Sequence, residues 1–451
     1  MFFNKNVNQK AILDFVNKFK EIGSLQQFAI MHNDELQVKF AVKPYETTDV
    51  KQLYSISKTF TSLAVGKAIE EGRLNIHAKV LDFFRGMLPP NINLDPKLEK
   101  MEVYHLLTMT TGHPSCVMGK ISGPNPVLAF LTLPLDYEPG TYFAYNTGAS
   151  LMLAVILNIV TGKGLDEYLD PLLKKMDIND YYFEKIMGNC LGGAGQHVNI
   201  DALISLGSLL LNKGMYKGEQ LVSREYVELA TSNLVDNSHN GTPDWTCGYG
   251  LHLWMSKDGF RADGAFGQLC MVMPEKNMVI AVQAHVTSMQ KEMDLVRELV
   301  DNLYKDEQIE NLEDIINSIN NIEKSKPLPF DNQELICEPN QLGIEKININ
   351  NLVDKVVLSF IGKDNFIIEA GNGYYIKSQF SATGIKVKHG MMPPFKEESI
   401  ISSYYNYIDN KLVIFARNHN TPLTQEFVFE YNDDACVASI NNIKINTIVG
   451  K

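Results

Sequence analysis

Two short runs rich in apolar residues, Phe28-Ala29-Ile30-Met31 and Leu36-Gln37-Val38-Lys39-Phe40, flank Asn33-Asp34. Strand-length runs on either side of an Asn-Asp pair predict a hairpin over residues 28–42. The pattern turns helical from about Ser55 to Glu71 and stops at Gly72. The middle of that stretch, Phe60-Thr61-Ser62-Leu63-Ala64-Val65-Gly66, is apolar or small on nearly every side, so the helix belongs in the interior. Two further apolar stretches, Ala149 to Thr161 and Ile200 to Leu211, predict packed helices. Between residues 246 and 286 the texture becomes that of strands: Tyr249 to Trp254, Leu269 to Met273 and Met278 to Val282. A helix from about Met289 to Tyr304 follows. Helices mixed with consecutive strands imply an α/β (α+β) domain over residues 1–305, an antiparallel sheet with flanking helices.

Residues 306–330 are charged and Asn-rich and end in Lys326-Pro327-Leu328-Pro329-Phe330. This is linker composition, with room for a short helix over Leu312 to Ile319. Beyond it come short alternating runs: Val356 to Phe360, Phe366 to Glu369, Tyr374 to Ile376, Leu412 to Phe415 and Phe427 to Phe429. Gly371-Asn372-Gly373 and Asp409-Asn410 supply turns. Residues 331–451 therefore read as a small C-terminal all-β domain, a sandwich or barrel.

Composition narrows the function classes. The chain has 451 residues, 45% of them hydrophobic, and a net charge of −12. With no basic run, it is a poor ligand for nucleic acid or anionic membranes. The six cysteines are scattered, with no C-x-x-C pair and no clustering with histidine, so they read as free buried thiols and no metal site is expected. The N-terminal residues lack the apolar core of a signal peptide, and no stretch approaches transmembrane length, which gives a cytoplasmic expectation.

The candidate chemistry lies at Ser55-Ile56-Ser57-Lys58, an S-x-x-K motif. Residues three apart on a helix share a face, which places the lysine amine against the serine hydroxyl. Serine is a weak nucleophile until a base takes its proton, and burial lowers a lysine pKa enough for the neutral amine to act as that base. Ser288-Met289-Gln290-Lys291 has the same spacing, but it reads as a helix start. Ser55 differs because it follows two strands and opens an apolar helix.

The run Tyr54-Ser55-Ile56-Ser57-Lys58-Thr59-Phe60-Thr61-Ser62, continuing to Glu70-Glu71-Gly72-Arg73-Leu74, resembles the first motif of the β-lactamase-related serine hydrolases. That family includes class C β-lactamases, DD-peptidases, esterases and D-aminopeptidases. Further segments resemble it in order: His105-Leu106-Leu107-Thr108-Met109-Thr110-Thr111-Gly112, Pro139 to Gly148, Gly192-Gly193-Ala194-Gly195, Leu209 to Gly214, Gly248-Tyr249-Gly250, and Gly264 to Gln268 followed by Met273-Pro274-Glu275-Lys276. The resemblance covers roughly residues 20–305. It implies a β-lactamase/DD-peptidase-like fold, catalysis by Ser55, Lys58 and Tyr145, and no cofactor.

Two departures bear on substrate. The family's Y-x-N motif reads Tyr145-Asn146-Thr147 here, putting Thr147 at the amide position; a match through Asn146-Thr147-Gly148 instead leaves Ala144 at the tyrosine. The first match also aligns the following apolar helix and is preferred. The family's K-T-G or H-x-G falls at Ala262-Asp263-Gly264, without the basic residue that helps hold a substrate carboxylate. Asp263 is expected to repel such an anion unless Arg261 compensates, and neighbours on a strand face opposite ways. Small Gly264 and Ala265 let the strand approach an acyl carbonyl, with the N–H groups of Ser55 and Ala265 as the implied oxyanion hole. Of the histidines, His113 is a candidate pocket-lining residue and His252 sits in an expected strand; no G-x-S-x-G elbow accompanies either.

The sequence thus predicts a serine hydrolase that forms an acyl-enzyme with a small-molecule ester or amide, of the esterase/amidase kind. The alternatives are β-lactamase or DD-peptidase (penicillin-binding) activity, and a catalytically silent binding protein on the same fold.

Overall fold

The computed structural model describes residues 1–121, 125–186, 188–305, 312–363, 365–380, 399–422, 424–432 and 435–449. The chain divides into two compact units, residues 1–41 with 52–308 and residues 42–51 with 309–451. A single cut after residue 305 does not describe this division, because the segment 42–51 goes with the C-terminal unit. Residues 306–311 of the expected linker lie outside the described residues.

The first unit is built on a seven-stranded antiparallel sheet. Its strands are β1 (Phe2–Phe3), β2 (Gly23–His32), β3 (Glu35–Ala41), β4 (Trp254–Ser256), β5 (Gly259–Gly264), β6 (Gln268–Met273) and β7 (Met278–Val286), in the order β1-β3-β2-β7-β6-β5-β4. The expected hairpin is β2–β3, and its turn residues Asn33 and Asp34 have φ of 52° and 61°. Both angles are left-handed, as a two-residue hairpin turn requires, and Asn and Asp tolerate them. Helix α1 (Gln9–Ile22) is an element beyond those expected above, and it buries Ile12, Phe15, Val16, Phe19 and Ile22 at helical spacing. Helices α2 (Ser57–Glu70), α3 (Thr147–Thr161), α4 (Ile200–Leu211) and α5 (Met289–Asn302) lie where the apolar runs placed them. Among the described residues no single helix is long and apolar enough to cross a membrane.

One expected strand is absent. Tyr249 to Trp254 forms only isolated bridges, Val235 to Tyr249 and Tyr249 to Trp254, before β4 begins. His252 within it has φ of 60°, which no strand accommodates.

The second unit contains α6 (Leu312–Asn320) and ten strands: β8 (Gln333–Cys337), β9 (Ile344–Asn351), β10 (Lys355–Gly362), β11 (Phe366–Asn372), β12 (Ile376–Phe380), β13 (Ser399–Ile408), β14 (Lys411–Asn418), β15 (Thr424–Asn432), β16 (Ala435–Ile440) and β17 (Ile443–Val449). They run β11-β10-β9-β8-β17-β16-β15-β14-β13-β12, and a short parallel pairing of β11 with β13 closes the sheet into a barrel. Ile347, Leu358, Ile368, Leu412, Ile414, Phe427 and Phe429 belong to its buried core. The Tyr374-Tyr375 pair lies before β12 rather than inside a strand.

Candidate active site

From Lys51 to Gly66 every residue is buried except Ser55. Ser55 sits in a single 3-10 turn, Tyr54–Ile56, that leads into α2. Tyr54 has φ of 49°, a left-handed backbone in a bulky residue. Such strain persists only where the surroundings fix it. Here Leu53 N donates to Gln196 O at 2.9 Å, and Gln196 N donates to Ser57 Oγ at 3.2 Å. The strained turn leaves one reachable hydroxyl at the mouth of an otherwise sealed helix.

Lys58 lies one turn further along, fully buried, with Nζ 3.0 Å from Ser55 Oγ. Its second partner is the carbonyl of Gly193, at 2.8 Å. Burial brings the Lys58 pKa down to about 7, against the opposing pull of Cys116 and Asp263. A neutral amine has two N–H groups and one lone pair. With one N–H held by Gly193, the lone pair is free to face the serine proton. Gly193 must be small: a Cβ there would stand 2.7 Å from Thr147 Cγ2, 3.0 Å from Ser150 Cβ and 3.2 Å from Lys58 Nζ.

The Tyr145 ring lies 4.8 Å from Lys58 Nζ, and its hydroxyl is hydrogen-bonded to Ser55. Burial and then Asp263 push its pKa well above the ordinary tyrosine value, so at neutral pH it stays a hydroxyl. Trp254 stacks on the ring at 5.1 Å and 23°, fixing its plane. Asn146 is the N-cap of α3: its Oδ1 accepts from Gly148 N at 3.0 Å and from Val117 N at 3.2 Å. The amide is thus spent on scaffolding, and the Tyr145 ring borders the Lys58 amine instead.

Strand β5 brings the third motif to the nucleophile. A Cβ on Gly264 would stand 2.1 Å from Leu53 O, so only glycine lets the strand come this close. Beyond it Ala265 leads into Phe266, whose φ is 69° and whose ring meets Tyr54 edge-on at 5.2 Å. Two strained aromatics therefore flank Ser55 and Ala265, whose N–H groups are the candidate oxyanion donors.

Asp263 requires a correction. Alternation puts Arg261 and Asp263 on the same face of β5, and Arg261 Nε donates to Asp263 Oδ2 at 3.0 Å. Arg261 Nη1 also donates to Met255 O at 2.8 Å, and both side chains are buried. Ala262 faces the opposite way, into the helical core. Asp263 is therefore compensated by Arg261 and does not by itself repel an anion. Desolvation raises its pKa and Arg261 opposes that. Asp263→Asn should strand a fully buried arginine, and the expected loss is about 3–5 kcal/mol of stability, read as a fall in Tm.

The histidines also differ from expectation. His113 is 1% exposed, packs on Phe130 at 4.8 Å and bonds Thr111 Oγ1 through Nδ1 at 3.0 Å. It is an interior residue rather than a pocket lining. His252 bonds Ser150 Oγ and Leu107 O, each at 2.9 Å, and burial brings its pKa down to about 3. Ser288 is the N-cap of α5, accepting from Lys291 N at 3.4 Å, which makes that S-x-x-K a helix start.

Three residues near the site were not among the expected site residues, although Gly193 lies in the Gly192–Gly195 segment that resembles the family. Gly193 is 135 positions from Lys58. Cys116, an exposed thiol, acts electrostatically on both Lys58 and Tyr145. Of the other cysteines only Cys190, Cys270 and Cys436 are buried, so the expectation of buried thiols holds for half the set. Glu292 in the first turn of α5 is buried against Gly267, and desolvation lifts its pKa to about 8. No group of metal-binding side chains occurs among the described residues.

Comparison with known proteins adds four findings. The Beta-lactamase family model matches residues 22–304. N-acetylmuramyl-L-alanine amidase of Bacillus subtilis (strain 168) is 23% identical over 301 residues, which are 52% of this chain and 68% of that protein. Among solved structures, EstCE1, a hydrolase with promiscuous acyltransferase activity, aligns with a TM-score of 0.55 at 15% identity, covering 66% of this chain and 98% of its own. SurE aligns with a TM-score of 0.53 at 15% identity, over 98% of this chain and 99% of its own.

Proposed function

The chain belongs to the Beta-lactamase family, and from that membership we propose that it is a serine hydrolase of the esterase or amidase kind, acting through an acyl-enzyme on Ser55. The observation that carries the proposal is the buried Lys58 amine, 3.0 Å from the one reachable hydroxyl and tethered by the Gly193 carbonyl.

The mechanism follows from those atoms. Neutral Lys58 takes the Ser55 proton as Oγ attacks the acyl carbonyl carbon, and the carbonyl electron pair moves onto oxygen. The N–H groups of Ser55 and Ala265 stabilise that oxyanion. When the tetrahedral intermediate collapses, the leaving group departs with a proton from Lys58, passed through the Tyr145 hydroxyl. Water then attacks the acyl carbon as Lys58 takes one of its protons; the second tetrahedral intermediate breaks its bond to Ser55 Oγ, Lys58 returns the proton to Oγ, and the acid leaves. Tyr145 transfers protons as a hydroxyl, and its raised pKa keeps it from serving as the resting base.

Neutral acyl substrates suit the third motif. Ala262 offers no cation where relatives carry a basic residue, and Arg261 is engaged by Asp263 and Met255. The names of the amidase and of EstCE1 support ester and amide carbonyls as the range to search. The test is turnover of a panel of p-nitrophenyl esters, D-amino-acid amides and penicillin, with intact-mass measurement after each. Hydrolysis of an ester or amide supports the proposal. A stable penicillin adduct would favour the penicillin-binding reading, and no turnover or adduct anywhere would favour a silent binding protein.

The base sets a pH dependence. Lys58 must be neutral to accept a proton and its pKa is about 7, so kcat/KM is expected to rise as pH increases through about 7. A rate that is flat across that range, or falls, would show that another group is the base.

A further inference from the structure

The tip of the β5–β6 hairpin, Gly264 to Gln268, carries the candidate oxyanion donor Ala265. Strands β5 and β6 are paired as far as Gly264 opposite Gln268, so the tip is closed on that side. On the other side the ladder stops sooner. Strands β6 and β7 pair from Met273 opposite Met278 to Leu269 opposite Val282, and the register ends there. The tip therefore projects past the β6–β7 ladder at the place where Ala265 must be held. It is also strained, because Phe266 has φ of 69°, a left-handed backbone that persists in a bulky residue only where the surroundings impose it.

Gln268 bridges the gap. It is fully buried, and its Nε2 donates to Ala265 O at 3.3 Å and to Ala284 O at 2.8 Å. Ala284 lies in β7 where the register with β2 shifts. Such an irregularity leaves a main-chain group outside the ladder, and here the carbonyl of Ala284 serves as the anchor. The amide gives both hydrogens to main-chain carbonyls and leaves its buried Oε1 without a partner, so a link from β7 to Ala265 is what this side chain provides. The next peptide is held by main chain, with Val286 N donating to Phe266 O at 2.9 Å. Glu292 lies against Gly267, but neither of its carboxyl oxygens has a hydrogen-bond partner among the described residues. It fills space at the turn without tying it.

We propose that Gln268 is a positioning residue for the reaction: its amide ties Ala265 to β7 and so keeps the Ala265 N–H aimed at the oxyanion. This deepens the assignment of Ser55 and Ala265 and rests on it. Displacing a reacting group by about 1 Å costs up to about a hundredfold in rate, so a loosened tie should be read in the acylation step.

The test uses full-length protein, the p-nitrophenyl ester that the native enzyme turns over fastest, and the matching thionoester, in which sulfur replaces the carbonyl oxygen. Sulfur is larger and a weaker acceptor, so a hole shaped for oxygen favours the ester and a loosened hole favours it less. Gln268→Met keeps the length of the side chain and removes both donors. Its kcat/KM on the ester is expected to fall about ten- to a hundredfold. The ratio of ester to thionoester kcat/KM is expected to fall at least about fivefold, since the oxygen-specific donor is what has been displaced. The pH limb set by Lys58 is expected to stay at about 7. Gln268→Glu keeps the shape but cannot donate to both carbonyls, so it is expected to move both quantities the same way, and it decides the question if Gln268→Met does not fold. The proposal is overturned if folded variants show a lower Tm with native kcat/KM, or lose activity on ester and thionoester equally, because the amide would then serve the sheet alone. A Ser55→Ala control separates the two failures: activity surviving in it would overturn the nucleophile assignment on which the proposal rests.

Discussion

Exchanging Lys58 for methionine is expected to lower kcat by about 10³-fold, the middle of the range for a positioned acid–base group. Lys58→Arg is expected to stay equally inert, because a guanidinium remains protonated and cannot accept the Ser55 proton. Charge alone therefore does not rescue; an ionisable lone pair is needed. Steady-state rates on folded protein, checked by circular dichroism, decide the matter. Near-native turnover by the arginine variant would place the base elsewhere.

The second large effect is expected from adding one methyl group. Gly264→Ala puts a Cβ 2.1 Å from the carbonyl oxygen of Leu53, which is backbone and cannot rotate aside. Strand β5 must retreat from the nucleophile turn, and Ala265 retreats with it. Loss of one oxyanion donor costs about 10²–10³ in kcat, so a fall of that size is expected, with KM changed much less. Gly193→Ala makes a useful comparison, because its obstruction is the tip of Thr147 and the Lys58 amine rather than main chain. A Gly264→Ala protein with native kcat would mean that the closeness of β5 to Leu53 has no catalytic role.

Much of the first unit was legible because periodicity and turn chemistry agreed. The hairpin of β2 and β3 followed from two strand-length runs around Asn33-Asp34, and α2 from a run that is apolar on every side. The S-x-x-K spacing brought Ser55 and Lys58 to one helical face, where the structure sets their reactive atoms 3.0 Å apart. What escaped was contact between residues far apart in sequence. Nothing near Gly193 announces that its carbonyl tethers Lys58. The segment 249–254 misled because its apolar residues satisfy a strand pattern, whereas His252 is turned by hydrogen bonds to Ser150 and Leu107. The pairing of Arg261 with Asp263 was within reach, since strand alternation aligns positions two apart.

The central claim is that Ser55 carries the acyl group, and trapping that group tests it most directly. Native protein would be mixed with a slowly hydrolysed p-nitrophenyl ester at about pH 8, where Lys58 is neutral, then quenched in acid and mapped by mass spectrometry. The predicted result is one acyl group per chain, on the peptide containing Ser55, and no adduct in Ser55→Ala. An adduct on Ser288 or any other residue, or the same adduct persisting in Ser55→Ala, would contradict the account.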